Sequence, residues 1–184
     1  MIKELILLML GCIVVNNIAF EKLLGITPII GGKTAGKKAF FTGLMVAITM
    51  FVTALISWPV NTFVLAKLGI DSLATFVFAI IVLVVVFILD LIVKAECKEG
   101  LGLYFPVIAL NAAVLGLALS NVSYTFPQAI FASLGAALGY ILAIMLFAGV
   151  QSRIQQKYVP AAFKGLPVNV LAAAIISMAL VAFK

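Results

Sequence analysis

Residues 72–93 read SLATFVFAIIVLVVVFILDLIV, an apolar run interrupted only by Asp90 near its far end. About 20 consecutive apolar residues suffice for a helix to cross the ~30 Å hydrocarbon core of a bilayer, so this stretch reads as a membrane span. FFTGLMVAITMFVTALISW (40–58) is a second. The rest of the chain agrees: of its 184 residues, 66% are hydrophobic and 10% charged, with a mean hydropathy of +1.35, against about 25% charged residues in a soluble domain. No segment is polar enough for a soluble domain. The sequence therefore predicts an all-α integral membrane protein forming a single membrane domain over 1–184.

Hydropathy and turn residues place six crossings at about 3–20, 40–64, 72–94, 102–120, 127–150 and 167–183, joined by Gly-, Pro- and charge-bearing connections. An even number puts both termini on one side. Lys33, Lys37, Lys38, Lys94, Lys98, Arg153, Lys157 and Lys164 then share the opposite side, against Lys3, Lys67 and Lys184 with the termini. By the positive-inside rule the termini lie outside a plasma (inner) membrane and the basic loops face the cytoplasm. The formal charge of +6 is thus topological and implies no nucleic-acid partner.

Several chemistries are excluded. The chain has no histidine, which removes the commonest metal ligand and general base. Two cysteines, Cys12 and Cys97, are too few for a disulfide framework. MIKELILLMLGC (1–12) loosely resembles a lipoprotein signal, but the apolar pattern continues past Cys12, which reads as a small buried hydrophobe in a membrane helix. GGKTAGKK (31–38) has the look of a phosphate loop. In one register Lys38 replaces the required Ser/Thr, in the other Thr27 replaces the first glycine, and no soluble strand precedes either. It reads as a basic loop. Asp90 is expected to snorkel or to pair with Lys94 one turn on, and Asn121-Val-Ser123 matches a glycosylation acceptor only as chance allows.

NNIAFEKLLGITPIIGG (16–32) is the anomaly, a cluster of polar residues, Gly and Pro inside an apolar stretch. An unbroken helix from Ile2 to Ile30 would run about 43 Å, too long for the hydrocarbon core. Gly25 and Pro28 are the natural break, since proline removes a donor and disfavours helix at the preceding residue. Broken backbone at membrane depth survives only where protein or a cavity covers it, and the amides of Asn16, Asn17 and Asn111 suit that bracing. The ionisable pair Glu21 and Lys22 beside them is a candidate for an ion path. Six helices divide as three plus three, which inverts one half relative to the other. The predicted repeats are about 1–98 and 99–184, with VVNNIAF (14–20) matched to ALNAAVL (109–115) on Asn16 and Asn111, and with the first helix of each half broken in mid-membrane.

VNNIAFEKLLGITPIIG (15–31), YFPVIALNAAVLGLAL (104–119) and VPAAFKG (159–165) resemble the Rnf/Nqr integral membrane subunits of the RnfA/NqrE type, over essentially the whole chain. The resemblance implies a component, non-catalytic alone, of an ion-translocating electron-transport complex that couples ferredoxin or quinone and NAD(H) to sodium or proton movement. It implies an inverted sister of the RnfE/NqrD type, flavin and iron–sulfur partner subunits, and a [2Fe–2S] cluster held in mid-membrane by cysteines from both sisters. The chain departs from the family at the ligands. Where the family has Leu-Gly-x-Cys-Pro, residues 24–28 read Leu-Gly-Ile-Thr-Pro; where it has Asn-Cys-Ala, residues 111–113 read Asn-Ala-Ala. Thr27 and Ala112 thus stand at the positions of the lost ligands, and Cys12 and Cys97 lie too far apart to replace them. A cluster-free ion or small-solute transporter, or a structural anchor for redox partners, are the alternative expectations.

Overall fold

A computed structural model describes residues 2–25, 36–96, 111–154 and 157–181. Helix α1 (Ile2–Val14) ends early, and a single turn, α2 (Ile18–Glu21), follows it. Next come α3 (Gly36–Val60), α4 (Ala74–Glu96), α5 (Ala112–Ser120), α6 (Phe126–Arg153) and α7 (Leu166–Val181). No strand occurs among the described residues. Three helical stretches are long and apolar enough to cross a membrane: Ala39–Leu68, Ala74–Ile92 and Phe126–Arg153. The two shorter apolar helices cover Ala112–Ser123 and Leu166–Ala179.

The breaks and ends follow local chemistry. Helix α3 carries Pro59 in its last turn, widens into a π-turn over Asn61–Leu65, and finishes with Ala66–Leu68. A proline supplies no N–H to the preceding turn, and a π-turn takes in one residue more than an α-turn. Gly69, left-handed at φ 66°, stops the helix. Helix α6 opens where the Gln128 side-chain oxygen accepts from both the N–H and the hydroxyl of Thr125, holding the first turn. At the same end the Trp58 indole N–H donates to the Tyr124 carbonyl at 2.8 Å and its ring lies 5.0 Å from that of Phe126. Such aromatic groups mark a membrane–water boundary.

Helix α6 is the centre of the packing, lying against α1, α3, α2 and α7, while α3 also packs on α5 and α4. Met50, Val114, Tyr140, Ile144 and Phe147 are completely enclosed between them. Helix α4 turns Phe78, Val82 and Val86 inward and leaves Leu83, Val84, Phe87 and Ile88 exposed, an apolar face suited to lipid or to a membrane partner. Helix α1 reaches α6 through Gly135 and Gly139. A Cβ at Gly135 would stand 2.4 Å from the Met9 carbonyl oxygen, and one at Gly139 2.9 Å from that of Cys12. This is the small-xxx-small approach by which membrane helices gain backbone contact.

Two sequence expectations need correction. The first helix breaks at residues 15–17, before Gly25 and Pro28, because Asn17 provides a cap that terminates one helix and starts another. Asp90 does not snorkel: it is 8% exposed, turned into the protein, while the Lys94 side chain lies outside those described. Pro28, Lys33 and Cys97 also fall outside the described residues.

Candidate functional site

The two breaks are built alike. Asn17 has φ −69°, ψ 114° and Asn111 has φ −75°, ψ 110°, extended conformations at which a helix begins. In each, the side-chain oxygen accepts from the backbone N–H two residues on, Ala19 at 3.0 Å and Ala113 at 2.9 Å. The remaining amide donors reach across the fold. Asn17 Nδ2 donates to the Ile13 carbonyl at 2.9 Å and to the Gly139 carbonyl at 2.8 Å, tying the end of α1 to α6. Asn111 Nδ2 donates to the Tyr140 hydroxyl at 2.8 Å, which itself donates to the Gly25 carbonyl at 2.6 Å. Both asparagines are buried. Each supplies hydrogen bonds that a broken membrane helix loses.

The relay through Tyr140 brings the two breaks into contact. Gly25 is left-handed at φ 78°, and a Cβ there would lie 2.4 Å from Asn111 Oδ1, 2.7 Å from Ala113 Cβ and 3.0 Å from Tyr140 Cε2. Only glycine fits both the conformation and the space. Leu23, at φ 51°, is also left-handed, so the chain after α2 bends sharply twice to reach Asn111. On the other flank the Ser177 hydroxyl donates to the Phe20 carbonyl, pinning α7 to α2.

The sequence-predicted residues divide around this junction. Asn17 and Asn111 lie at it. Asn16 does not share their position: its side chain is exposed, and only its backbone N–H is engaged, with the Gly11 carbonyl at 2.8 Å. The counterpart of Asn111 by cap geometry is therefore Asn17, one residue later than the sequence match on Asn16. Glu21 and Lys22 are exposed, with Glu21 on the rim of a cleft shared with Phe20, Leu23, Ala174, Ser177 and Met178. Ala112, the first residue of α5, is exposed beside the buried Asn111, and Thr27 lies two residues beyond Gly25, outside the described residues. Cys12 packs instead against Gly135. Among the described residues no three His, Cys, Asp or Glu side chains gather at a metal-binding distance.

Sequence reading missed Tyr140 and Asn121. Tyr140 had a signal: it follows Gly139 in Gly135-x-x-x-Gly139, a pattern of close helix contact. Asn121 is 1% exposed and its Nδ2 donates to the Ser133 hydroxyl at 2.8 Å, which places it inside the fold.

Comparison with known proteins accords with this architecture. The family model described as "Rnf-Nqr subunit, membrane protein" matches residues 5–184. The chain is 36% identical to the A component of the Na(+)-translocating ferredoxin:NAD(+) oxidoreductase complex of Acetobacterium woodii, over 97% of this chain and 96% of that one. It is 33% identical to the A component of the ion-translocating oxidoreductase complex of Syntrophotalea carbinolica, over 98% and 96%. With the same coverage it is 34% identical to the corresponding component from Aliivibrio salmonicida. With all but its first four residues matched by the family model, the chain belongs to the Rnf-Nqr family of membrane subunits.

Proposed function

We propose that this chain is the RnfA-type membrane component of a redox-driven ion pump, one half of a pseudosymmetric membrane core completed by an inverted sister of the RnfE/NqrD type. Flavin and iron–sulfur subunits complete the complex and pass electrons between ferredoxin or quinone and NAD(H). The chain crosses the inner membrane six times as two inverted repeats, with both termini outside and the basic loops in the cytoplasm. One observation carries this reading. The two breaks, capped alike by Asn17 and Asn111, meet through Tyr140 and Gly25, the arrangement in which inverted-repeat membrane proteins place their sites at the repeat interface.

The cluster expected of the family does not fit the residues present. Iron–sulfur clusters are held by thiolates, and the residue beside the Asn111 cap offers only the Ala112 methyl. Thr27 offers a hydroxyl, a hard and weakly acidic donor. In this reading the chain supplies no thiolate at the junction, and its role in the pump is to shape the core and the ion path.

Gentle affinity capture of the tagged chain from its native membranes tests the proposal, with co-purifying subunits identified by mass spectrometry. A second six-helix membrane protein together with flavin and iron–sulfur subunits is the expected result. Recovery of the chain alone, or as a simple pair, would replace the pump with a cluster-free transporter on the same scaffold.

A further inference from the structure

Helix α3 buries a file of polar side chains: Thr42, Thr49, Thr53, Ser57 and Asn61 are each at most 9% exposed. From Thr49 onward they recur every four residues, about 6 Å apart along one face. A buried hydroxyl in a helix ordinarily donates to the carbonyl four residues back, and Thr49 does so, to Met45 at 2.8 Å. Thr53 and Ser57 do not. Both are completely buried, and among the described residues neither hydroxyl oxygen has a hydrogen-bond partner. A third buried oxygen in the same state, Asn121 Oδ1, belongs to the 3-10 turn Asn121–Ser123, which packs on α3.

Connectivity brings Asn121 to the level of Ser57, one helical turn from Thr53. Trp58, next to Ser57, donates to the Tyr124 carbonyl, and the Tyr124 N–H in turn donates to the Asn121 carbonyl at 3.1 Å. Asn121 has its amide nitrogen committed to Ser133 at 2.8 Å, so its oxygen is the end left over. The backbone of α3 is disturbed at this level as well, by Pro59 and the π-turn Asn61–Leu65. Each disturbance leaves helix carbonyls without their ordinary donors.

Buried polar oxygens without partners are costly inside a protein, and π-turns concentrate at functional sites. No charged residue lies in α3 between Lys38 and Lys67, in residues 112–124, or in α6 before Arg153. The segments that carry these oxygens are therefore neutral, and the carboxyl groups on elements packed against α3 belong to Asp71, at the head of the turn beside the π-turn, and to Asp90 on α4. Neutral hydroxyl, amide and carbonyl oxygens around interrupted membrane helices are ligands for a small hard cation.

We propose that Thr53 Oγ1, Ser57 Oγ and Asn121 Oδ1, with backbone carbonyls of the disturbed α3 segment, bind an alkali cation of the sodium class inside this chain. The site's place on the path of the pumped ion rests on the function proposed above; the binding itself does not. Its three side-chain ligands are neutral and do not titrate.

The test is thermal unfolding of the chain, purified with whatever subunits accompany it, in sodium chloride against choline chloride at constant ionic strength. The wild type is expected to gain several degrees with sodium, and Thr53→Val, Ser57→Ala and their combination to require at least tenfold more sodium for the same gain. Thr53→Val keeps the shape of the side chain and removes an unpartnered hydroxyl, so without sodium it unfolds no earlier than the wild type. Water alone at these oxygens would leave wild type and variants with identical sodium dependence, which overturns the site. So would a wild type indifferent to sodium. A sodium response that depends on Thr53 in a chain recovered without redox subunits would keep the site while removing the pump.

Discussion

Gly25→Ala separates two consequences of the way the broken segments meet. The first is local. At φ 78°, an alanine in the left-handed region costs about 1–2 kcal/mol relative to ordinary backbone. The second is the contact with the other break. The added methyl would stand 2.4 Å from Asn111 Oδ1 and 2.7 Å from Ala113 Cβ, both closer than any ordinary contact. Either Gly25 retreats and breaks its bond to the Tyr140 hydroxyl, or Asn111 turns away and abandons the N–H of Ala113. Loss of such a cap costs about 1 kcal/mol, and an unpartnered buried donor or acceptor about 1–3 kcal/mol. Together the change should destabilise by about 2–5 kcal/mol.

Gly69→Ala is the internal control. Gly69 is left-handed at φ 66°, yet among the described residues a Cβ there meets nothing within 4 Å, so this substitution carries the local cost of about 1–2 kcal/mol. Equilibrium unfolding of the two variants in mixed detergent micelles, against the wild type, measures the difference directly. Gly25→Ala should be the more damaging by at least about 1 kcal/mol, the smallest cost of a lost cap or orphaned polar group. Equal destabilisation would refute the packing of Gly25 on the Asn111 cap, and with it the contact between the two breaks.

Two further outcomes follow from the same geometry. Asn17→Leu removes a cap and both amide donations, leaving the Ile13 and Gly139 carbonyls without that donor; it should cost about 2–4 kcal/mol, whereas Asn16→Leu, at an exposed side chain, should shift the same unfolding midpoint little. Gly135→Val places bulk against the backbone of α1 and should undock that helix, read as new proteolytic access near residues 2–14, while Gly149→Ala, with nothing within 4 Å, should be neutral or stabilising by about 0.5–1 kcal/mol through helix propensity.

How much of this was legible in the sequence depended on the range of each interaction. The membrane helices were, because apolar length is a local property: the spans near 40–64, 72–94 and 127–150 reappear as α3, α4 and α6. The presence of a break in the first helix was also legible, since polar side chains in an apolar run demand partners. Its position was not. Gly25 and Pro28 looked like the stronger punctuation because their effects are intrinsic to the backbone, but Asn17 draws on Gly139, a carbonyl 122 residues away. Twin asparagines left the match to Asn111 ambiguous by one residue, and only backbone conformation separates a cap at Asn17 from an exposed Asn16. Asn121 illustrates the same limit in reverse. Its local pattern matched a glycosylation acceptor only by chance and gave it no role, whereas its partner, Ser133, is supplied by the neighbouring helix.

The asparagine caps and the thiolates that the family resemblance implies answer to different demands. Every side-chain bond of Asn17 and Asn111 goes to backbone or to Tyr140, and Tyr140 continues to the Gly25 carbonyl. None of these bonds reaches Ala112. The bracing therefore operates whatever stands at residues 27 and 112, because the membrane requires each broken helix to satisfy its own N–H and C=O groups. A cluster needs thiolates in addition, and this junction keeps its form without them. The motifs that identify the family are thus evidence for the broken-helix scaffold. Electron passage through this chain would have to be argued from ligand residues, and Thr27 and Ala112, which stand where the resemblance implies cysteines, supply no thiolate.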